Sequence, residues 1–398
     1  MNAARPEAPA DACSPFSPAA LAEPGSAYAE LHARVPVYRC TDFEPPFYLL
    51  SRHADVGAAL RDIETYSSEF GQGPRFTPPA GMLSDPPQHT LFRSLVQQAF
   101  TPRAIDALGG RIERLADELL DDCAHRGDFD LHDDFAFPLP VIVIAEMLGV
   151  PAADLHLFKH WSDASVAAMG SERPEAYAAD LGAMADYLRA RVGEARAPGV
   201  PSSLITALVQ AEVDGRRLAD DEILSVLTQL LVGGNETTTS LITNAVWRLL
   251  ERPPLWRRLA DDAALVPAAV EESLRFDPPV LGLFRNTTRP VTLHGVEIPA
   301  GSKVMLHYGA ANRDPEAFAD ADTFSLDRPP KRHLAFGLGV HFCLGAQLAR
   351  LEGRIALTRL VTRFPDLTLL DAGERIAPFF LWGRRRLPVR AQPPGARP

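Results

Sequence analysis

The chain has 398 residues, of which 46% are hydrophobic and 23% charged, as expected for a soluble globular protein with a large core. Its formal net charge of -11 argues against nucleic acid or an anionic membrane as the main partner. The four cysteines are widely spaced and suggest no disulfide framework, which favours a cytoplasmic location. Residues 1–25 lack a basic segment followed by an apolar core, so we expect a flexible arm there rather than a signal peptide or membrane anchor.

The predicted elements change type along the chain. An alternating pattern from Leu31 to Ser51 predicts strands of a small sheet. Helical periodicity dominates from Pro86 to about Leu274. Strand and turn signals return between Val280 and Leu306, and a final helix is predicted from about Leu344 to Arg363. This order predicts one mainly α-helical domain, residues 26–398, with a smaller β region.

The longest predicted helix spans Asp220 to Glu251, with Asp220 as its cap. Its middle contains Gly233, Gly234 and three threonines, which are poor helix formers. Adjacent glycines allow a flat ring or a diatomic ligand to approach the backbone. A threonine that bonds a water or ligand would open the helix locally. The alternative is a small-residue face that packs against a neighbouring helix.

The stretch from Phe336 to Gly345 places one cysteine, Cys343, in a glycine-rich loop before a predicted helix. Free N–H groups at a helix N-terminus keep a thiolate anionic, and the three loop glycines allow a large flat cofactor to approach the backbone. An iron porphyrin held by one cysteine thiolate needs both features. A buried structural cysteine is one alternative. A zinc site with His341 and Cys343 is another, although zinc requires three or four protein ligands.

The loop fills every fixed position of the pattern F-x-x-G-x-H-x-C-x-G, and in this it resembles the haem-binding loop of the cytochrome P-450 monooxygenases. The segment from Gly233 to Thr237 is similar to that family's distal motif, A/G-G-x-D/E-T. The resemblance extends over nearly the whole chain. It implies the cytochrome P-450 fold, in which a long central helix crosses haem b and the cysteine loop lies on the opposite face.

The resemblance also implies roles for individual residues. Cys343 would bind the haem iron, Thr237 would hydrogen-bond the dioxygen, and Glu236 would help to bring in protons. Four basic residues would bind the haem propionates: His89, Arg93, Arg285 and His341. The other implied haem contacts are Gly233, Gly234, Phe336 and Gly345. An E-x-x-R motif and a later arginine would lock the scaffold behind the haem: Glu272, Arg275 and Arg328.

By the same resemblance, four regions form an apolar, aromatic pocket for a hydrophobic organic substrate of small to medium size. The residues expected to line it are Phe76, Met82, Val232, Val280, Leu283, Phe284, Phe379 and Phe380. Each of these side chains is equally compatible with a place in the core. Arg75 either pairs with a substrate carboxylate or is an ordinary solvated arginine.

The implied reaction inserts one oxygen atom of O2 into the substrate, as a hydroxylation in the default case. The chain has no room for a flavin or iron–sulfur domain, so we expect electrons from a separate ferredoxin and its reductase. Lys331, Arg332, Arg350 and Arg354 form a predicted basic patch that would dock an acidic ferredoxin. The alternatives are a peroxide-driven haem-thiolate enzyme, a non-catalytic haem sensor or carrier, and, for the patch, a solvated charged face.

Overall fold

The structure, a computed structural model, describes residues 13–77, 81–171, 173–213 and 215–391. Fifteen α-helices lie in these residues, and most of them pack around one large apolar core. They are α1 (Pro18–Ala22), α2 (Tyr28–Ala33), α3 (His53–Ala59), α4 (Gln88–Gln97), α5 (Pro102–Asp106), α6 (Gly109–Arg126), α7 (Pro138–Leu148), α8 (Leu155–Gly170), α9 (Ala178–Glu194), α10 (Leu204–Gln210), α11 (Asp220–Leu250), α12 (Pro253–Asp261), α13 (Val266–Phe276), α14 (Tyr308–Ala311) and α15 (Ala346–Arg363).

The described strands form one five-stranded sheet and four smaller sheets. They are β1 (Val37–Cys40), β2 (Phe47–Leu50), β3 (Tyr66–Ser67), β4 (Asp128–Asp130), β5 (Glu212–Val213), β6 (Arg216–Arg217), β7 (Leu283–Thr287), β8 (Val291–Leu293), β9 (Val296–Ile298), β10 (Lys303–Leu306), β11 (Thr368–Leu369), β12 (Glu374–Arg375), β13 (Arg384–Arg386) and β14 (Pro388–Arg390). The large sheet has the order β1-β2-β10-β7-β3. Its β2 and β10 are parallel, while β10 and β7 are antiparallel. The prediction of a mainly α-helical protein with a smaller β region is therefore confirmed.

Helix α11 runs through the middle of the helical region and packs against α7, α13 and α15. Its 31 residues span roughly 46 Å. The prediction that Asp220 caps it is wrong. Ala219 is the N-cap residue, and its N–H is satisfied by the Glu222 carboxylate at 2.9 Å. The helix is also continuous through Gly233 and Thr237, so the expected local opening is absent.

The N-terminal segment corrects a second expectation. Residues 1–12 of the predicted flexible arm lie outside the described residues. Residues 13–25, however, belong to the folded unit, because Cys13 is 2% exposed and α1 follows, with Ser17 as its N-cap. The Glu23 carboxylate accepts two hydrogen bonds, at 2.7 and 2.8 Å, from Arg248 near the end of α11. A helix and a partly buried ion pair thus replace the expected arm in this segment.

Other boundaries follow the sequence patterns with local differences. The alternating pattern that begins at Leu31 predicts β1 and β2 correctly, but Leu31 itself lies in α2. The predicted final helix corresponds to α15, with Gly345 as its N-cap residue. The strands after α15 were not predicted. No helix in the described part of the chain is both long and apolar enough to cross a membrane.

Candidate active site

A cavity of about 320 Å³ lies between α11 and the loop before α15. This volume is typical of a small-molecule site. One wall includes Gly233, Gly234 and Thr237, and another includes Cys343 and Gly345. A Cβ atom added at Gly233 or Gly345 would meet no atom within 4 Å, so the backbone is open on both walls. The two motif regions therefore face one shared space that a flat ligand can enter.

Cys343 is the reactive side chain on the loop side of the cavity. It is exposed to this space although it lies deep within the protein. Its N–H donates to the Phe336 carbonyl at 2.9 Å, which closes the loop. Burial raises the pKa of the Cys343 thiol, while the backbone N–H of Gly345 and the guanidinium groups of Arg93 and Arg350 lower it. Burial is the largest of these effects, so the thiol pKa is raised overall; the donors and charges oppose it and would support a thiolate once a metal cation binds the sulfur.

The loop glycines serve different purposes. Gly337 has φ 67° and lines the cavity, which agrees with close approach of a cofactor. Gly339 has φ 72°, and a Cβ atom there would lie 2.7 Å from the carbonyl oxygen of Leu60. The expectation that all three glycines make room for a cofactor is therefore wrong for Gly339. The missing side chain there makes room for the backbone of Leu60, just after α3.

Four basic residues line the same cavity: His89, Arg93, Arg285 and His341. Neither arginine forms an ion pair with a carboxylate among the described residues, although Arg285 is only 2% exposed. The rings of the two histidines lie 4.4 Å apart, and His341 Nε2 is 3.7 Å from Asp85. Burial, followed by the charges of His341 and Arg93, lowers the pKa of His89 to about 4. The two arginines are therefore cations without a carboxylate partner among the described residues, which suits a ligand with carboxylates.

The distal motif is divided between two faces of α11. Thr237 lines the cavity and donates its hydroxyl to the Gly233 carbonyl at 2.6 Å. Glu236 is 6% exposed and does not line the cavity; Ser240 lies 3.5 Å from its carboxylate. Burial, followed by the nearby charge of Asp163, raises the pKa of Glu236 to about 7. Glu236 can therefore gain or lose a proton near neutral pH.

The sequence did not identify Glu352 as a site residue. It lies on α15, is 2% exposed and lines the cavity. Burial raises the pKa of its carboxyl to about 8, against a smaller opposite effect of the Thr238 hydroxyl. The signal that could have revealed it is helical spacing, since Glu352 shares a face with Leu348 and Ala349, which also line the cavity.

Only part of the predicted substrate pocket lines the cavity in the described structure. Met82, Val280 and Leu283 do so. Five predicted residues do not: Phe76, Val232, Phe284, Phe379 and Phe380.

The positions of these five residues have physical causes. Phe284, Phe379 and Phe380 are buried in an aromatic cluster with Phe47 on the other face of the large sheet. Phe76 is 47% exposed. Val232 lies one helical turn before Glu236, on the same face of α11 that turns away from the cavity.

Arg75 is also outside the cavity lining. Its guanidinium lies over the Phe43 ring at 4.9 Å, a cation–π contact. This contact accounts for Arg75 without a substrate carboxylate, and the residue is half-buried rather than freely solvated.

The predicted scaffold residues meet in one buried network. Glu272 accepts bonds from Arg275 at 2.7 and 2.8 Å and from Arg328 at 3.1 and 3.2 Å. Arg275 is 2% exposed and also donates to the carbonyls of Asn312 and Ala321. This is a buried ion-pair network with several backbone bonds, so removal of one partner costs far more than it would in an exposed helical pair.

The predicted basic patch borders a surface basin of about 670 Å³ on the side of Phe336 and Phe342. Arg350 is bound by the Glu271 carboxylate at 2.6 and 3.0 Å, so part of its charge is neutralised. Arg332 lines the basin and forms no ion pair among the described residues. The patch is therefore less positive than the sequence suggests.

A zinc centre is not supported. The described residues contain no group of three or more histidine, cysteine, aspartate or glutamate side chains placed to hold a metal ion. All four cysteines are free. A single thiolate beside an open, cation-lined cavity instead fits an iron porphyrin with two propionates, which needs one protein ligand.

Comparison with known proteins gives one consistent family. The family model described as cytochrome P450 matches residues 144–374. The chain is 41% identical to cytochrome P450 107B1 of Saccharopolyspora erythraea, covering 88% of this chain and 89% of that protein. It is 43% identical to the erythromycin C-12 hydroxylase of the same organism, with coverages of 85% and 88%. It is 39% identical to the vitamin D(3) 25-hydroxylase of Pseudonocardia autotrophica, with coverages of 96% and 97%.

Comparison with solved structures identifies the same family. The solved structure of the Bacillus subtilis bacillaene polyketide synthase cytochrome P450 PksS matches with a TM-score of 0.88 and 34% identity, over 96% of this chain and 100% of that one. The chain therefore belongs to the cytochrome P450 family and is a haem-thiolate monooxygenase.

Proposed function

We propose that this monooxygenase binds haem b through Cys343 and hydroxylates a hydrophobic organic molecule of small to medium size. The observation that carries the proposal is the Cys343 side chain, open to a cavity whose other wall is the glycine and threonine segment of α11. When bound, the haem supplies the oxygen-activating and redox chemistry. The residues around the cavity bind, orient and exchange protons.

In this proposal the cationic side chains hold the two haem propionates. Arg93 and Arg285 would each donate charge-assisted hydrogen bonds, which are stronger than neutral ones. His89 has an unpartnered buried Nδ1 within the described residues and would donate as a neutral imidazole. His341 would donate to a propionate from Nε2, the nitrogen that lies 3.7 Å from the Asp85 carboxylate in this structure. Phe336, Gly234 and Gly345 would form the surfaces next to the ring.

Proton handling would involve both faces of α11. The Thr237 hydroxyl lies at the cavity wall and would orient the oxygen ligand, with the Gly233 carbonyl as its present acceptor. Glu236 would pass protons from the α8 side, where the charges of Asp163 and Lys159 affect its pKa. A carboxyl with a pKa of about 7 is well matched to this exchange at neutral pH.

The cavity lining supports an apolar substrate, because Met82, Val280 and Leu283 contribute to it. The matched relatives act on erythromycin and on vitamin D(3), according to their names. From the apolar lining we infer that the substrate here is a hydrophobic organic molecule, and that epoxidation is the variant reaction.

Electrons would come from an acidic ferredoxin and its reductase in the cytoplasm. The partner would bind at the basin near Phe342, which Lys331, Arg332 and Arg350 line. Since Arg350 is paired with Glu271, more of the attraction would come from Arg332 and from Arg354, which is exposed one turn after Arg350 on α15.

The first experiment is the absorption spectrum of the reduced, carbon-monoxide-bound protein. We expect the red-shifted band of a thiolate ligand, and we expect Cys343→Ala to abolish it. Its absence from the wild-type protein would refute the haem-thiolate assignment. Product formation with O2 and a ferredoxin system, compared with peroxide alone, then separates a monooxygenase from a peroxide-driven enzyme, and a sensor or carrier would give product with neither.

The docking proposal has its own test. Arg332→Glu and Arg354→Glu should each slow ferredoxin-driven reduction more than Arg350→Glu does, with larger effects at low salt. Arg189→Glu is the matched control, because Arg189 is exposed on α9 and lies outside the basin. Equal rates in all four variants would contradict docking at this face.

A further inference from the structure

Lys303 is a buried cation with no acidic partner. Lysine occurs at three positions in the whole chain, 159, 303 and 331, and all other basic side chains apart from histidine are arginines. Lys303 begins β10, is 1% exposed and lies opposite Phe47 on β2 and Asn286 on β7. No carboxylate binds it among the described residues. An unpaired buried ammonium is costly, so its position needs a compensating interaction.

The compensating interaction is a pair of hydrogen bonds to the backbone of one short loop segment. Lys303 Nζ donates to the carbonyl of Phe70 at 2.9 Å and to that of Gly71 at 3.1 Å, and it lies 5.1 Å from the centre of the Phe76 ring. The Phe70 carbonyl also accepts the Thr77 N–H at 3.0 Å. The ammonium has three donor hydrogens, so it can serve both carbonyls at once.

The residue after this segment, Gln72, projects into the cavity. Its carbonyl accepts the Phe284 N–H at 2.9 Å. The backbone of Gln72 is therefore bound to β7, directly after the two carbonyls that Lys303 binds. The side chain lines the cavity, is 9% exposed and has no hydrogen-bond partner within the described residues. The amide is reachable from the cavity, where water or a polar group of a ligand can satisfy it.

We propose that Lys303 is a positioning residue that holds Phe70 and Gly71 so that Gln72 acts as a specificity-determining polar contact for the substrate. The group recognised is a hydroxyl or carbonyl oxygen on an otherwise apolar molecule. This inference rests on the proposed function, because it assumes that the substrate occupies the same cavity. A haem propionate is the other oxygen group that could reach this amide, and the experiment separates the two.

The experiment uses the purified haem protein and azole ligands that bind the iron and shift its absorption. The panel contains imidazole, 4-phenylimidazole, and the phenylimidazoles with a hydroxyl at the ortho, meta or para position. We expect at least one hydroxylated compound to bind wild-type protein about fivefold more tightly than 4-phenylimidazole. Gln72→Leu and Lys303→Met should both remove this preference while the affinity for imidazole stays unchanged.

A second measurement tests whether Lys303 holds the backbone of the Phe70 and Gly71 segment in place, separately from the contact between Gln72 and the ligand. Hydrogen exchange of the peptide that contains Thr77 should become faster in Lys303→Met, because the shared Phe70 carbonyl is released. It should not change in Gln72→Leu. Val304→Ala is the matched control, since Val304 is buried on the opposite face of the same strand and does not touch the segment. Lys303→Gln keeps donor groups and should retain part of the preference.

Several results would overturn the proposal. One is a hydroxyl preference that persists in Gln72→Leu or is absent from the wild-type protein. Another is a loss of haem content in Gln72→Leu, which would assign the amide to a propionate. If Lys303→Met fails to fold, Gln72→Leu and Lys303→Gln still test whether the Gln72 amide binds the hydroxyl group of the ligand. A missing thiolate band in wild-type protein would instead refute the proposed function itself, so the two failures are distinguishable.

Discussion

Glu236 is held with a pKa of about 7, and this has a measurable cost in stability. The ordinary value for the group is 4.5, and burial is the main cause of the increase. A difference of this size corresponds to about 3 kcal/mol. Because the folded-state pKa is the higher one, stability is greatest at low pH and is lost as the pH rises from about 4.5 through about 7.

Glu236→Gln removes this ionisation. We expect the variant to be more stable than the wild-type protein, with an advantage that grows by about 2–3 kcal/mol between pH 5 and pH 8.5. Its turnover should fall by about 10²-fold, because a group that exchanges protons is lost. Urea unfolding at both pH values gives the stability, and product formed per electron supplied gives the effect on catalysis.

Two further variants control this prediction. Asp163→Asn removes the charge that raises the pKa of Glu236, so it should stabilise the protein at pH 8.5 and have little effect at pH 5. Asp221→Asn changes an exposed acid on the same helix and should alter stability by less than about 0.5 kcal/mol at either pH. An equal stability gain for Glu236→Gln at both pH values would refute the reasoning.

Three other changes have defined outcomes. Glu272→Gln should lower the unfolding free energy in urea by about 3–5 kcal/mol, because Arg275 and Arg328 lose their shared carboxylate, and a loss below 1 kcal/mol would contradict this. Arg285→Met should speed haem transfer to an acceptor protein about tenfold, and an unchanged rate would count against propionate binding. Gly233→Ala should raise helix stability by up to about 1 kcal/mol, since its Cβ meets no atom, yet weaken imidazole binding in spectral titrations; unchanged binding would exclude Gly233 from the ligand site.

The sequence predicts the family, the fold class and the facing motifs because these depend on residues at fixed local spacings. It does not predict which aromatic residues face the ligand. Strand alternation could have decided one case: if Arg285 faces the cavity, its neighbour Phe284 must point to the other face of β7. Helical spacing could have shown that Val232 does not face the ligand. Val232 and Glu236 are four residues apart and lie on one face of α11, whereas Gly233 lies on a different face.

Other features depend on contacts between distant parts of the chain and have no local signal. Arg350 is neutralised by Glu271, 79 residues earlier, so counting nearby basic residues overestimated the positive patch. Burial raises the pKa of Glu352 although its sequence neighbours are ordinary for a helix. The hydrogen bond from Lys303 to the Phe70 carbonyl likewise joins residues 233 positions apart.

The parallel pairing of β2 with β10 has a consequence for synthesis of the protein in the cell. The apolar strand Phe47–Leu50 pairs with Lys303–Leu306, about 250 residues later in the chain. At typical translation rates, β2 therefore leaves the ribosome roughly 10–50 s before its neighbour exists. During that interval its open edge and its buried-face residues are available to other nascent chains. We expect the yield of soluble protein to depend on chaperones that cover this segment, more than on the stability of the finished fold.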